Sequence, residues 1–111
     1  MRLAIEKTAA VLVLQPEGQI NSTNAAAMES DSMAQFDKGE HKIILDLARL
    51  DYISSAGLRV VLLLAKKLKQ AGGALALCDI PPNVREVFEI SGFLAILNVY
   101  DTRAQAVAAL G

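Results

Sequence analysis

Two adjacent serines, Ser54 and Ser55, follow the segment Leu50-Asp51-Tyr52-Ile53 and open a strongly amphipathic stretch, which makes them the best-placed chemical groups in the sequence. A serine in the first turn of a helix lies beside backbone N–H groups that have no partner within the helix. Its plainest role there is an N-cap, contributing about 1 kcal/mol. Its other role is to accept a phosphoryl group, since the helix dipole and the free N–H groups stabilise the roughly two negative charges that a phosphate adds. Modification at such a site alters the surface without unfolding the domain.

Other reactive residue types are sparse. His41 is the single histidine and lies in a turn between Gly39 and Lys42. A nucleophilic serine needs a base and a group to orient that base. His41 precedes the strand that Ser55 follows, so the two fall at opposite ends of it. Ser54-Ser55-Ala56-Gly57 also lacks the G-x-S-x-G elbow, so a hydrolase using Ser55 has no general base. One cysteine and one histidine cannot assemble a tetrahedral zinc site. Cys78, closing an apolar run, reads as a small buried hydrophobe. Gly72-Gly73 lacks the following Lys-Ser or Lys-Thr of a phosphate cradle and reads as a turn. No cofactor or metal is expected, and no catalysis.

The 111 residues suit one domain spanning 1–111, which can bury roughly 65% of the surface that its unfolded chain exposes. Hydrophobic residues make up 53% and charged residues 21%, which excludes a disordered chain. A formal net charge of −1 supplies neither a phosphate-binding footprint for nucleic acid nor a polybasic membrane anchor. A lone cysteine points to a reducing compartment. The N-terminal apolar run is interrupted by Glu6 and Lys7, unlike a secretion signal, and the uncharged run Val60 to Ala65 is far below the ~20 residues of a membrane span. The expected location is the cytoplasm, and the expected partner another protein.

The elements that position the serines follow from periodicity. Leu3–Lys7 and Ala10–Leu14 are short β-like runs close enough to form an antiparallel hairpin, with Pro16-Glu17-Gly18 breaking the second. Asn21, Ser22 and Thr23 are helix-capping types that open a helix to about Phe36. Lys42–Leu47 reads as a strand buried on both faces. From Ser55 to Gln70 the period is helical, with Leu58, Val61, Leu62, Ala65 and Leu68 on one stripe and cations near the end. Ala74–Cys78 is a strand, Pro81-Pro82 starts a helix to about Ile90, Leu94–Val99 is a last strand, and Thr102–Leu110 a closing helix. This order predicts an α/β fold: a mixed, mainly parallel sheet with an N-terminal hairpin and about four helices. Val60 and Leu63 fall opposite the α-helical stripe, beside Arg59. They are either scattered surface apolars or contacts to a neighbouring helix, or else a protein-docking face next to the serines.

Four segments in order resemble the STAS domain family, and in particular its stand-alone anti-sigma factor antagonists of bacterial partner-switching systems. They are Gly18 to Ala25, Ile43-Ile44-Leu45-Asp46-Leu47, Tyr52-Ile53-Ser54-Ser55-Ala56-Gly57-Leu58, and Phe88-Glu89-Ile90-Ser91-Gly92-Phe93. Together they span essentially the whole chain. The resemblance implies a STAS fold and a binding protein gated by phosphorylation. The unphosphorylated form would sequester an anti-sigma factor that is also a serine kinase of the histidine-kinase-like ATPase fold. The kinase would inactivate the antagonist by phosphorylating the motif serine, and a PP2C-type phosphatase would restore it.

Aligning the motif on Gly57-Leu58 places the modified serine at Ser55, with Ser54 as the alternate. Many members carry Asp at the position of Ser54 and a second hydroxyl at that of Ala56. Asp46 offers either a nearby carboxylate in compensation or a partner for backbone donors of the following turn. The implied partner surface comprises Asn21, Ser22 and Thr23 on one side, Ser54, Ala56 and Gly57 at the motif, and Arg59, Val60 and Leu63 on the helix. The alternative within the family is a scaffold subunit of a stress-sensing or lipid-transport assembly, indifferent to the state of Ser55.

Overall fold

Short apolar runs that alternate with amphipathic stretches bury themselves most completely as a sheet covered by helices. The computed structural model of the chain describes residues 2–111. Its elements are β1 (Arg2–Thr8), β2 (Val11–Ile20), α1 (Ala25–Asp37), β3 (Lys42–Asp46), β4 (Leu50–Ile53), α2 (Ser55–Gln70), β5 (Ala74–Cys78), α3 (Pro82–Ile90), a 3₁₀ turn (Phe93–Ala95), β6 (Asn98–Tyr100) and α4 (Arg103–Leu110). The sheet runs β1-β2-β3-β5-β6, with β4 pairing β2. Among the described residues only the β1–β2 hairpin is antiparallel, and the other four pairings are parallel.

Alternation along the strands assigns each side chain to a face. Leu12, Leu14, Ile43, Leu45, Leu75 and Leu77 join the main core with residues of α1, α2 and α3. Val11, Val13, Ile44, Ala76 and Cys78 face the other way and are covered by Ala106 of α4. Thr102 caps α4 through a reciprocal box with Gln105. Cys78 is buried there, as its apolar setting leads one to expect.

Asp46 shares the parity of Ile44 and so points toward α4, away from α2. Its carboxylate, only 4% exposed, accepts from the Ala48 N–H at 3.0 Å and from Nε of Arg103 at 2.8 Å. Burial opposes charge on the Arg103 guanidinium, but the hydrogen bond and charge of Asp46, with Glu6, outweigh it and raise its pKa. Asp46 is therefore a clamp between β3 and α4. It supplies the turn partner weighed from sequence and no carboxylate to the serines.

Three elements depart from the sequence expectation. Pro16 does not end the second strand. It pairs with Leu3, and β2 continues to Ile20. On its other edge β2 pairs β3 through Leu12–Leu14 and β4 only from Gly18, so Pro16 interrupts neither parallel ladder. Gly18, at φ +91°, accompanies the register shift that carries β2 from one partner to the next. The strand β4 went unread because Leu50 and Ile53 are its buried residues and Asp51 and Tyr52 its exposed ones, a spacing without alternation. Conversely, Leu94–Val99 is a strand only from Asn98, since Gly92 at φ +75° leads into the 3₁₀ turn.

The Asp46–Arg103 clamp predicts unequal costs for its two arms. Asp46→Ala should lower stability in urea unfolding by about 1.5–3 kcal/mol, the range for hydrogen bonds to charged groups. Glu6→Ala, which removes only the outer carboxylate on Arg103, should cost less than about 1 kcal/mol.

Candidate functional site

The serine motif is built where two parallel strands end side by side. Ile20 of β2 pairs with Ile53 of β4, and the Ser54 N–H donates to the Ile20 carbonyl at 2.8 Å. Ser54 keeps an extended backbone (φ −89°, ψ 173°) while its carbonyl accepts from Leu58 N–H at 2.9 Å and its Oγ from Gly57 N–H at 3.3 Å. It is the N-cap of α2. A Cβ on Gly57 would lie 2.7 Å from both Ile20 Cγ2 and Ile53 Cγ1, so only glycine lets the first turn of α2 seat on the strand ends.

Ser55 is the first residue of α2 and is exposed. Its hydroxyl makes no hydrogen bond among the described residues, and its own N–H and that of Ala56 precede the helical ladder. The two serines thus divide the roles that sequence left open: Ser54 caps and Ser55 is free. A phosphoryl group on Ser55 would meet the positive end of a sixteen-residue helix.

On one side of this motif runs the turn after β2. Asn21 Oδ1 accepts from the N–H groups of Thr23 (2.9 Å) and Asn24 (3.2 Å), and Asn24 Oδ1 accepts from Asn21 N–H (2.9 Å). Asn24 Nδ2 donates to the Gln19 carbonyl at 2.8 Å. The two asparagines hold the turn, leaving Ser22 and Thr23 exposed at its tip. The helix itself begins at Ala25.

On the other side the expectation needs correction. Val60 is 5% exposed and belongs to the main core; Gly57 is buried as well. The buried arc of α2 is Gly57, Leu58, Val60, Val61, Leu64 and Leu68, wider than one stripe because α1 as well as the sheet lies against the helix. Leu62 and Ala65 are only half-buried; Arg59 and Leu63 are exposed, and Ala56 is half-buried. The surface beside Ser55 is instead a hollow of about 270 Å³ lined by Ser55, Leu58, Arg59, Leu62, Ser91 and Phe93. Leu58, Leu62, Ser91 and Phe93 were missed from sequence as part of this surface. The signal was present for Leu62, which follows Leu58 by one helical turn, but nothing local shows that the end of α3 folds back against it.

A model of the STAS domain matches residues 2–106. The chain belongs to the STAS domain family. Over 98% of its length it is 55% identical to a Bordetella bronchiseptica protein named "Putative anti-sigma factor antagonist BtrV", spanning 94% of that protein. It is 30% identical to the anti-sigma F factor antagonist of Paenibacillus polymyxa, over 99% of this chain and 95% of that one. A crystal structure titled as a putative anti-sigma factor antagonist of Thermotoga maritima superposes with a TM-score of 0.93 at 26% identity, covering 97% of this chain and 93% of the other. The fold is also that of the Bacillus cell fate determinant SpoIIAA in its phosphorylated form (TM-score 0.75, 21% identity, 99% and 100% covered).

The remaining reactive groups of this STAS domain lie away from Ser55. His41 is exposed, packs on Phe36 with ring centroids 5.0 Å apart, and precedes β3, which pairs with the beginning of β2. Ser54 is level with the end of β2, so a distance on the order of 25 Å separates it from His41. Asp46, Cys78 and Asp79 bring a carboxylate, a thiol and a second carboxylate within 4.8 Å of one another. Both oxygens of Asp46 are already engaged. Burial pushes the Cys78 thiol up, and the charge of Asp46 and the hydrogen bond and charge of Asp79 push it further.

The packing of Gly57 carries its own test. Gly57→Ala should lower stability by about 1–3 kcal/mol in urea unfolding, as overpacking does, despite the higher helix propensity of alanine. A stabilised variant would contradict the close seating of α2 on Ile20 and Ile53.

Proposed function

We propose that the chain is an anti-sigma factor antagonist whose unphosphorylated form binds and sequesters an anti-sigma factor, releasing its target. The anti-sigma factor is also a serine kinase of the histidine-kinase-like ATPase fold. It phosphorylates Ser55 and thereby ends its own sequestration, and a PP2C-type phosphatase reverses the step. The protein acts in the cytoplasm by binding, with no catalysis of its own. Among the described residues no helix is long and apolar enough to cross a membrane.

The observation that carries this reading is the division of labour between the two serines. Ser55 presents an unbonded hydroxyl at the dipole end of α2 while Ser54 is held as its cap. Names of relatives as anti-sigma factor antagonists, over nearly the whole chain, support the same reading. So does the existence of a phosphorylated form of a protein with this fold. Replacement of the usual acid by Ser54 does not undo the local structure, because serine and aspartate are comparable N-caps. The partner surface in this reading is the Ser22–Thr23 tip, Ser55 and Ala56, and the exposed side of α2 from Arg59 to Leu63.

Kinase and radiolabelled ATP should label the wild type and Ser54→Ala but not Ser55→Ala. Ser55→Ala should keep its binding to the kinase, while Ser55→Asp should bind at least about tenfold more weakly, a loss of about 1.4 kcal/mol. Undiminished labelling of Ser55→Ala would sink the assignment of the serine. Equal binding by Ser55→Asp would favour a scaffold role that is indifferent to phosphorylation.

A further inference from the structure

The hollow beside Ser55 does not end at Leu62. That residue also lines a second depression of about 510 Å³, between the later turns of α2 and the segment leading into β6. Ala65, Leu75 and Leu97 continue its apolar floor, and Ile96, 71% exposed, stands in its wall. Leu58, Leu62, Ala65 and Lys69 succeed one another at intervals of three and four residues, so the two hollows form one groove along a single flank of α2. From Ser55 to Lys69 that flank is about 21 Å long at 1.5 Å per residue.

The charge along this groove is one-sided. Arg59, Lys66 and Lys69 line it, and no carboxylate does. The ion pairs among the described residues use Lys7, Arg49 and Arg103 and none of these three cations. Three uncompensated cations over an apolar floor, in a chain of net charge −1, are a local complement for an occupant that is apolar on one side and acidic on the other.

We propose that this groove binds an acidic amphipathic helix of a partner protein, and that phosphate on Ser55 weakens the binding by claiming Arg59. The second half rests on the reading of Ser55 given above. A helix of about four turns fits the length, and the half-buried Leu62 and Ala65, with Ile96 opposite, offer it a groove-packing surface. Strand addition is a poorer fit, because the nearby edge strand β6 has only three residues. Ser55 and Arg59 are one turn apart and share the hollow at the groove's end. A phosphoserine there would pair with Arg59, leaving two free cations, and would set about two negative charges against the acidic face of the occupant.

The probe is a synthetic four-turn peptide with leucine along one face and glutamate along the other, with its lysine-for-glutamate counterpart as control. On the full ¹⁵N-labelled chain, the glutamate peptide should shift the amides of Leu62, Lys66 and Ile96, and the lysine peptide should not. Lys66→Glu/Lys69→Glu, both exposed positions, should weaken the glutamate peptide at least about tenfold, and Ser55→Asp should weaken it several-fold. No binding, equal binding of both peptides, or shifts confined to other surfaces would overturn the proposal. So would shifts of the same amides by phosphatidylserine vesicles in the absence of any by the peptide. If Lys66→Glu/Lys69→Glu binds the anti-sigma kinase like the wild type while Ser55→Asp does not, the groove fails and the antagonist reading stands. If the wild type binds the glutamate peptide but no anti-sigma factor, that reading fails and the groove stands.

Discussion

Between Gly57 of α2 and the side chains of Ile20 and Ile53 there is no room for a methyl group, and the geometry of Ser54 and Ser55 depends on that contact. It brings the first turn of α2 onto the ends of β2 and β4. Ser54 N–H can then pair with the Ile20 carbonyl, and Ser54 Oγ with Gly57 N–H. Once Ser54 is committed to the cap, Ser55 is forced outward as the first helical residue. A larger residue at 57 would lift the helix and loosen both serines together. The glycine is thus a condition of the site and no part of its surface.

The two faces of the sheet separate support from recognition. On one face α4 closes over Val13, Ile44 and Cys78, fastened by Arg103 to Asp46. On that face both oxygens of Asp46 are hydrogen-bonded and Cys78 is buried. The other face carries α1, α2 and α3 over a larger core. There the end of α3 and the 3₁₀ turn fold beside α2 and leave Leu62 and Phe93 only half-buried next to Ser55. An exposed hydroxyl, an apolar hollow and unpaired cations meet on that one flank. A binding surface switched by charge needs those three things together.

Electrostatics argues for such a switch more strongly than the overall charge does. A formal net charge of −1 gives the chain as a whole little long-range field. Locally, however, Arg59, Lys66 and Lys69 stand along one groove without internal partners. A phosphate at Ser55, as proposed, would change that local field by about two charges at a point where the helix dipole would tolerate it. The fold need not rearrange for the surface to change its preference.

Much of this protein was legible in its residues. Apolar runs, helix-start residues and the 3.6 period placed β1, the start of β2, β3, α2, β5, α3 and α4 to within a few positions, because local burial dictates those patterns. The Ser-Ser-Ala-Gly-Leu segment marked the start of α2 for the same reason. Contacts between segments distant in sequence remained illegible. Pro16 could stay in a strand only because neither parallel partner of β2 reaches it, and Leu-Asp-Tyr-Ile became β4 only because the end of β2 was free to pair. Val60 was placed outward because a single helix against a sheet buries one stripe; α1 adds a second contact and draws Val60 in. Asp46 was a carboxylate near the serines in sequence and lies on the opposite face of the sheet in space. The sequence by itself determined most of the elements, β4 excepted, and that two serines stand at a helix start. Tertiary structure alone decided which serine is free, which flank of α2 stays open and which cations line it, because these depend on non-local packing that no local pattern encodes.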